Sequence, residues 1–397
     1  MPISERLKRL GSGVFARMDQ RKRSYAARAT ASASQLHSLL DLSLGSTDLQ
    51  PPPEVLAAMA AQLTQPASAG YCLQAGTLPF REAAAAWVQQ RFGVQVDPLR
   101  EVLLLVGSQE GTAHLPLALL NPGDRALLLD PCYPSHRGGV LLAGGEPLLL
   151  PLQLEDGWRP CFERLPCSEQ QQLKLLMLGY PHNPTATTGN QGWLDEGLAL
   201  AKREGAVLAH DNPYVDLALE GEAPALLRSS GWRENGIEFF SFSKGWCLGG
   251  FRLGFAVGAA ALIEALAQVK AVVDFNQSLA LQAGAKIALT QLPHWPQQLK
   301  PIYKQRRDAM AAALKAAGWI VPPSSMALYL WMPLPPRLLA LGSEAACTWL
   351  LERSGVALTP GIGFGAGGEG WVRLALVAEI DQLQQAAKRL NAALIEN

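Results

Sequence analysis

Glu101-Val-Leu-Leu-Leu-Val-Gly-Ser-Gln-Glu-Gly111 is an unbroken apolar run that stops at a glycine turn and passes into a helix expected to begin near Thr112. Such a run lacks the alternation of a half-exposed strand, so it belongs to a strand covered on both faces, as in a parallel sheet between helices. Comparable runs recur at βα spacing over 125–130, 147–152, 173–178, 206–211 and 236–240. A mainly parallel, doubly wound α/β sheet follows. Flanking it, helices are expected over 82–92, 262–273, 278–290 and 302–317, with Pro51-Pro-Pro53 opening another and a short strand over 39–45.

From Gly318 the pattern changes to short strands and helices: strands at 319–321, 327–331 and 371–376, with a helix over 343–354. This marks a smaller α+β domain. The division expected is an N-terminal arm shared with the small domain (1–44), a large domain (45–290) and a small C-terminal domain (291–397).

With 397 residues and 49% apolar content, the chain can bury a large core. Its zero net charge gives no electrostatic case for nucleic acid or a membrane surface. Residues 1–28 are rich in Arg and Lys but lack the apolar core of a secretory signal, and no apolar run reaches the roughly 18 residues of a membrane span. A soluble, cytoplasmic protein is expected. The cysteines (Cys72, Cys132, Cys161, Cys167, Cys247, Cys347) form no CxxC pair and the histidines are dispersed, which favours neither a metal site nor a disulfide framework.

The chemistry concentrates in Ser241-Phe-Ser-Lys-Gly-Trp-Cys-Leu-Gly-Gly-Phe-Arg-Leu-Gly254. Lys244 follows an apolar strand, placing its amine at the C-terminal edge of the sheet, where open α/β folds hold ligands. There a desolvated lysine can form a Schiff base, while Ser241, Ser243 and the planar fork of Arg252 suit a phosphate. The turn at Gly107-Ser-Gln offers a second anion contact through backbone N–H groups at a helix start, and lacks the Lys-Ser/Thr pair of a nucleotide-triphosphate loop.

Two more strand ends carry polar groups: Gly179-Tyr-Pro-His-Asn-Pro-Thr185 exposes Asn183 between prolines, and Asp211-Asn-Pro-Tyr214 supplies a carboxylate and a phenol. A lysine, a phosphate cradle and a buried carboxylate are the groups that pyridoxal phosphate needs. Singly, each has a plainer explanation: Asp211 as a helix cap, Asn183 as a turn residue, Tyr214 as packing. Their order and spacing point to one site. Gly363-Phe-Gly-Ala-Gly-Gly368 matches GxGxxG, but it leads into a strand and reads as a turn.

With YPxNPT at 180–185, DxxY at 211–214, SxSK at 241–244 and an arginine at 252, the chain resembles the class I/II aminotransferases of the fold-type I pyridoxal phosphate enzymes from Leu44 to about Val377. The phrases Gly107-Ser-Gln-Glu-Gly111, Asn121-Pro-Gly-Asp124, Asp130-Pro-Cys-Tyr-Pro134 and Leu358-Thr-Pro-Gly-Ile-Gly-Phe364 are most similar to aspartate and LL-diaminopimelate aminotransferases. The resemblance implies pyridoxal 5'-phosphate bound to Lys244, with Asp211 at its ring nitrogen, Tyr214 and Asn183 at its ring oxygen, and Tyr133 on its face. It assigns the phosphate to Ser108, Gln109, Ser241, Ser243 and Arg252, with Tyr71 reaching across to a partner subunit in a homodimer. Arg373 would clamp the substrate carboxylate beside the Gly45 backbone. The implied reaction moves an amino group between an L-amino acid and a 2-oxo acid, with 2-oxoglutarate as partner acid.

Three departures stand out, one of them Asp274-Phe-Asn-Gln277, which differs from the helix entry expected of the diaminopimelate enzymes. Ala186 occupies a position that is usually glycine, which should alter the turn after Asn183, and His136 stands where an aromatic is common and reads as a space-filling residue. A β-eliminating C–S lyase is the alternative within the same chemistry. A non-catalytic cofactor-binding regulator is the alternative outside it, although residues 1–40 leave little room for a DNA-binding domain.

Overall fold

The computed structural model describes residues 3–11, 13–31, 36–72, 76–166, 168 and 172–395. After the helices Glu5–Leu10 and Val14–Ala31 comes a two-residue strand, β1 (Leu40–Asp41). The central sheet comprises β2 (Val102–Leu105), β3 (Arg125–Asp130), β4 (Glu146–Pro151), β5 (Leu173–Leu178), β6 (Val207–Asp211), β7 (Gly236–Ser241) and β8 (Gly254–Gly258). Its spatial order is β2-β8-β7-β6-β5-β3-β4, and β8 alone runs antiparallel to its neighbours.

Burial follows the apolar runs. All of β2 is buried, as is β5 apart from Lys174, because helices cover both faces. At the sheet edge β4 has one neighbour, and its Leu148 and Leu149 stay partly exposed despite an equally apolar sequence. Below the sheet, Trp87, Phe92, Phe240 and Phe255 pack with ring centroids 5.1–5.8 Å apart. Each such ring contributes roughly 1.5–3 kcal/mol through burial.

Helices start and stop for local reasons. The helix expected near Thr112 begins at Ser108, because Gly107 (φ 75°) turns the chain at once. That shift brings the Ser108 and Gln109 N–H groups into the first turn, where they have no intrahelical acceptor. Gly111 lets this helix sit on the sheet: a Cβ there would lie 2.4 Å from the Phe239 ring.

A second, antiparallel sheet joins β9 (Tyr329–Pro333), β11 (Thr359–Pro360) and β12 (Trp371–Ala375) in the order β11-β12-β9, and β1 pairs in parallel with β10 (Val356–Ala357). Of the strand expected over 39–45, two residues pair. The strand expected at 319–321 does not form. Trp319 and Val321 are buried by the preceding helix, Leu299–Ala316, and Trp319 N–H donates to the Leu314 carbonyl instead of to a neighbouring strand. The helix Val14–Ala31 reaches the second sheet's side of the molecule through Arg17–Glu344 and Lys22–Asp41 ion pairs, whereas Glu5–Leu10 lies on the central-sheet side, where Arg9 pairs with Glu146 of β4. The GxGxxG segment is a pair of short turns that cap Asp130, with Gly367 N–H donating to its carboxylate at 2.9 Å. The architecture is α/β, a mainly parallel sheet between helices beside a smaller α+β region. Among the described residues, no helix is long and apolar enough to cross a membrane.

Candidate active site

A cavity of about 980 Å³ opens where the C-terminal ends of the parallel strands meet the second sheet. It gathers every candidate named from the sequence except Tyr71, whose ring is 91% exposed and rests against Phe275.

Lys244 lies in a single helical turn, Phe242–Gly245, directly after β7. Ser241 caps that turn by accepting from the Ser243 N–H at 3.1 Å, so it has a structural duty beside any anion contact. The Lys244 amine donates to the Gly45 carbonyl. Burial pulls this amine below the ordinary lysine range and the Arg373 and Arg252 charges pull the same way, while Tyr329 opposes.

Asp211 closes β6 and is buried. His136 Nε2 lies 3.1 Å from its Oδ2, whereas Oδ1 is buried without a hydrogen-bond partner. A buried carboxylate oxygen left unpaired is costly, and here it faces a cavity. His136 is therefore a partner of Asp211, which corrects its reading as a space filler. The residues on either side point the other way, as strand alternation requires. Tyr180 N–H donates to His210 Nε2 at 3.1 Å, which leaves Nδ1 protonated and donating to Glu238 at 2.9 Å. Asn212 joins the same carboxylate at 2.8 Å. This network ties the loop after β5 to the loop after β6.

On that first loop, Asn183 Oδ1 accepts from Arg373 Nη1 at 2.8 Å, and its Nδ2 points to the Tyr214 hydroxyl at 3.5 Å. The expected change of turn takes a definite form: Ala186 holds φ 59° in the left-handed region. An alanine there costs on the order of 1 kcal/mol relative to glycine.

The anion cup is assembled by glycines. A Cβ on Gly107 would lie 2.7 Å from Arg252 Nη2, and one on Gly254 would lie 2.6 Å from the Ser108 nitrogen. Arg252 itself sits at φ 52°. Tyr133 donates to the Gln109 side chain at 3.0 Å.

Arg373, on β12, is 4% exposed. Its guanidinium lies between the Tyr329 ring (4.3 Å) and the Phe364 ring (4.8 Å). The carbonyl that accepts from Arg373 belongs to Ser43, at 2.9 Å, whereas Gly45 presents its carbonyl to Lys244. Tyr329 was not singled out from sequence, where it sits within an apolar strand. Below the cup, the acidic oxygens of Glu110 and Asp274 and a ring nitrogen of His114 lie within 4.8 Å of one another. The Lys270 ammonium meets both carboxylates at 3.0 and 2.9 Å, which explains the cluster without an ion.

The family model for aminotransferase class I and II matches residues 37–390. The chain belongs to the class I and II aminotransferases. An LL-diaminopimelate aminotransferase of Syntrophobacter fumaroxidans is 34% identical over 388 residues, 98% of this aminotransferase and 97% of that protein. Another, from Nitratidesulfovibrio vulgaris, is 35% identical over 391 residues, with 98% of each chain covered. Among solved structures, a probable N-succinyldiaminopimelate aminotransferase from Thermus thermophilus is 42% identical, with a TM-score of 0.89 and coverage of 96% and 100%. An aspartate aminotransferase from Thermus thermophilus is 26% identical with a TM-score of 0.90, covering 99% and 100%. The aminotransferase is thus a transaminase of the fold-type I architecture.

Proposed function

We propose that this aminotransferase moves an amino group between an L-amino acid and a 2-oxo acid using pyridoxal 5'-phosphate, as a homodimer in which Tyr71 completes the partner's phosphate site. The observation that carries the cofactor is the unpaired, buried Oδ1 of Asp211, which opens into the same cavity as the Lys244 amine and the anion cup at Ser108 and Arg252. A protonated ring nitrogen would satisfy that oxygen, and a phosphate would neutralise Arg252; the residues fit the group.

When bound, pyridoxal phosphate supplies an electron-withdrawing ring that takes up the charge left as a substrate proton departs. The protein groups do the rest. Lys244 would hold the cofactor through its amine and, with that amine free, would take the substrate α-proton on Nζ and return it at a different carbon. Its depressed basicity keeps a fraction of the amine uncharged and able to accept that proton. Asp211 would keep the ring nitrogen protonated, with His136 fixing the carboxylate. Tyr214 and Asn183 would donate to the ring oxygen, Tyr133 would cover the ring, and Ser108, Gln109, Ser241, Ser243 and Arg252 would hold the phosphate. Arg373 presents its fork to the substrate carboxylate, which aims the α-hydrogen at Lys244.

The domain division belongs to this reading: a large unit over 45–290 carries the cofactor groups, and 291–397 with the arm over 1–44 carries Arg373. The separate sheets support it. For the substrates we propose a donor of the LL-diaminopimelate or aspartate type with 2-oxoglutarate as acceptor, supported by the relatives named above. Spectral titration of the cofactor-loaded protein with a panel of amino acids tests this. Conversion of the lysine-bound absorbance by LL-diaminopimelate or aspartate, reversed by 2-oxoglutarate, is expected; release of a 2-oxo acid with no acceptor present would instead identify a β-lyase.

A further inference from the structure

Tyr329 lines the same cavity, touches the proposed machinery and has no role yet. Its hydroxyl and that of Tyr214 are 2.9 Å apart, and its ring covers the Arg373 guanidinium at 4.3 Å. A Cβ on Gly45 would stand 1.8 Å from the Tyr329 hydroxyl, so glycine at 45 makes room for it, and the Gly45 carbonyl accepts from Lys244. One phenol thus touches the carboxylate clamp, the cofactor-oxygen donor and the glycine that receives the lysine.

The backbone is bent to put it there. Leu328, immediately before, holds φ 80° although it is not glycine. That conformation is fixed on both sides: Ala327 N–H donates to the Leu217 carbonyl at 2.9 Å, and Leu376 N–H donates to the Leu328 carbonyl at 2.7 Å. Ser324 Oγ also donates to the Tyr329 carbonyl at 3.0 Å. Unfavourable backbone held in place by its surroundings is concentrated at functional sites.

We infer that Tyr329 is a positioning residue that reports the state of the Arg373 carboxylate clamp to Tyr214 and Lys244, so that capture of a substrate carboxylate is felt where the proton moves. The inference rests on the proposed role of Arg373. Asn183 completes a closed circuit, accepting from Arg373 and reaching the Tyr214 hydroxyl. When Tyr329 donates to the Tyr214 oxygen, the Tyr214 proton is left free to point into the cavity.

With no carboxylate on Arg373 the charges favour the opposite direction, Tyr214 donating to Tyr329. Burial alone would push the Tyr329 phenol up, but the Arg373 and Lys244 cations beside it, with the Tyr214 hydrogen bond, bring it below the ordinary tyrosine value, while burial drives Tyr214 well above. The ionisable groups around it are Lys244 after β7, Tyr214 after β6, Arg373 on β12, Tyr133 ahead of the helix Pro134–Leu142, and Tyr303 on the helix Leu299–Ala316. A carboxylate on Arg373 cancels one of the two cations. The phenol then rises and holds its proton for Tyr214.

Two measurements test the inference. In the cofactor-free protein, ultraviolet tyrosinate absorbance followed against pH should contain one early-ionising phenol that moves up by about one pH unit with added maleate and is missing in Tyr329→Phe. In the loaded protein, the pH midpoint of the lysine-bound visible absorbance should shift with maleate in the wild type and shift much less in Tyr329→Phe, while maleate affinity changes by less than about threefold because the phenyl ring still covers Arg373. A full maleate-induced shift in Tyr329→Phe, or no early-ionising phenol in the wild type, overturns the inference. Absence of any visible absorbance on adding the cofactor would overturn the proposed function instead, and the cofactor-free titration would still decide the part played by Tyr329.

Discussion

The floor and the wall of the cavity are built by different means. On the floor, Asp211 ends a strand and Ser108, Asn183 and Lys244 each follow one, all of one sheet, and the shared sheet sets their relative positions. On the wall, Arg373 and Tyr329 come from an antiparallel sheet across the cavity, held by ring stacking, the Ser43 carbonyl and the left-handed Leu328. A rigid sheet suits groups that must keep one geometry around a ring. A separate element suits groups that meet a substrate which arrives and leaves. Under the proposed function this division separates cofactor chemistry from substrate reading, and substitutions should separate them too.

The largest effect is expected on the floor. Lys244→Ala should lower turnover on the order of 10⁴-fold and abolish the visible absorbance of lysine-bound cofactor, read by a coupled keto-acid assay and a spectrum. An unchanged spectrum would break the floor assignment. Asp211→Asn should cost on the order of 10³-fold in kcat with little change in the Kd for maleate, because a neutral amide no longer stabilises a protonated ring nitrogen. On the wall, Arg373→Lys should raise KM for both amino and oxo acids by roughly 10²-fold and leave cofactor affinity intact, since a point charge cannot form the paired contact. Equal losses of cofactor and substrate affinity would erase the distinction between the two regions.

Smaller effects sharpen it. His136→Phe removes the partner of Asp211 and should weaken cofactor binding by about tenfold, measured by equilibrium dialysis, without altering maleate affinity in the loaded protein. The floor should also carry a pH dependence of stability. Burial, only partly offset by Lys270 and the Val106 N–H, raises Glu110 from 4.5 to about 7. Between those values the folded protein binds more protons than the unfolded chain, so stability from this group is present below pH 4.5 and lost as pH rises through about 7. Urea midpoints should fall across that window in the wild type and flatten in Glu110→Gln, where Lys270 keeps its bond to Asp274.

Much of the floor was readable because its residues sit at the ends of apolar runs. Lys244, Asp211 and Asn183 could be named from strand ends and local motifs, and the structure brings them to one cavity. Helix and strand limits slipped where a local conformation decided them, as at Gly107, which starts its helix at Ser108, and at Trp319, which is buried by a helix instead of joining a sheet. His136 stood out in the sequence but read as a space filler, because its partner, Asp211, is 75 residues away. Tyr329 looked like one more apolar strand position, since nothing local marks a phenol that meets Tyr214 115 residues away.

The order of strands and turns in the chain was enough, by itself, to determine the parallel α/β sheet and the placing of Lys244 and Asp211 at its C-terminal rim. A strand that must be buried on both faces has a continuous apolar signature, and the loop after it has nowhere to go but the sheet edge. Tertiary structure alone decided which carbonyl meets Arg373, what stands behind Asp211, and that Tyr329 lies between the clamp and the lysine. Those contacts join segments far apart in the chain, and their energies come from desolvation and close packing, which exist only once the two sheets face each other.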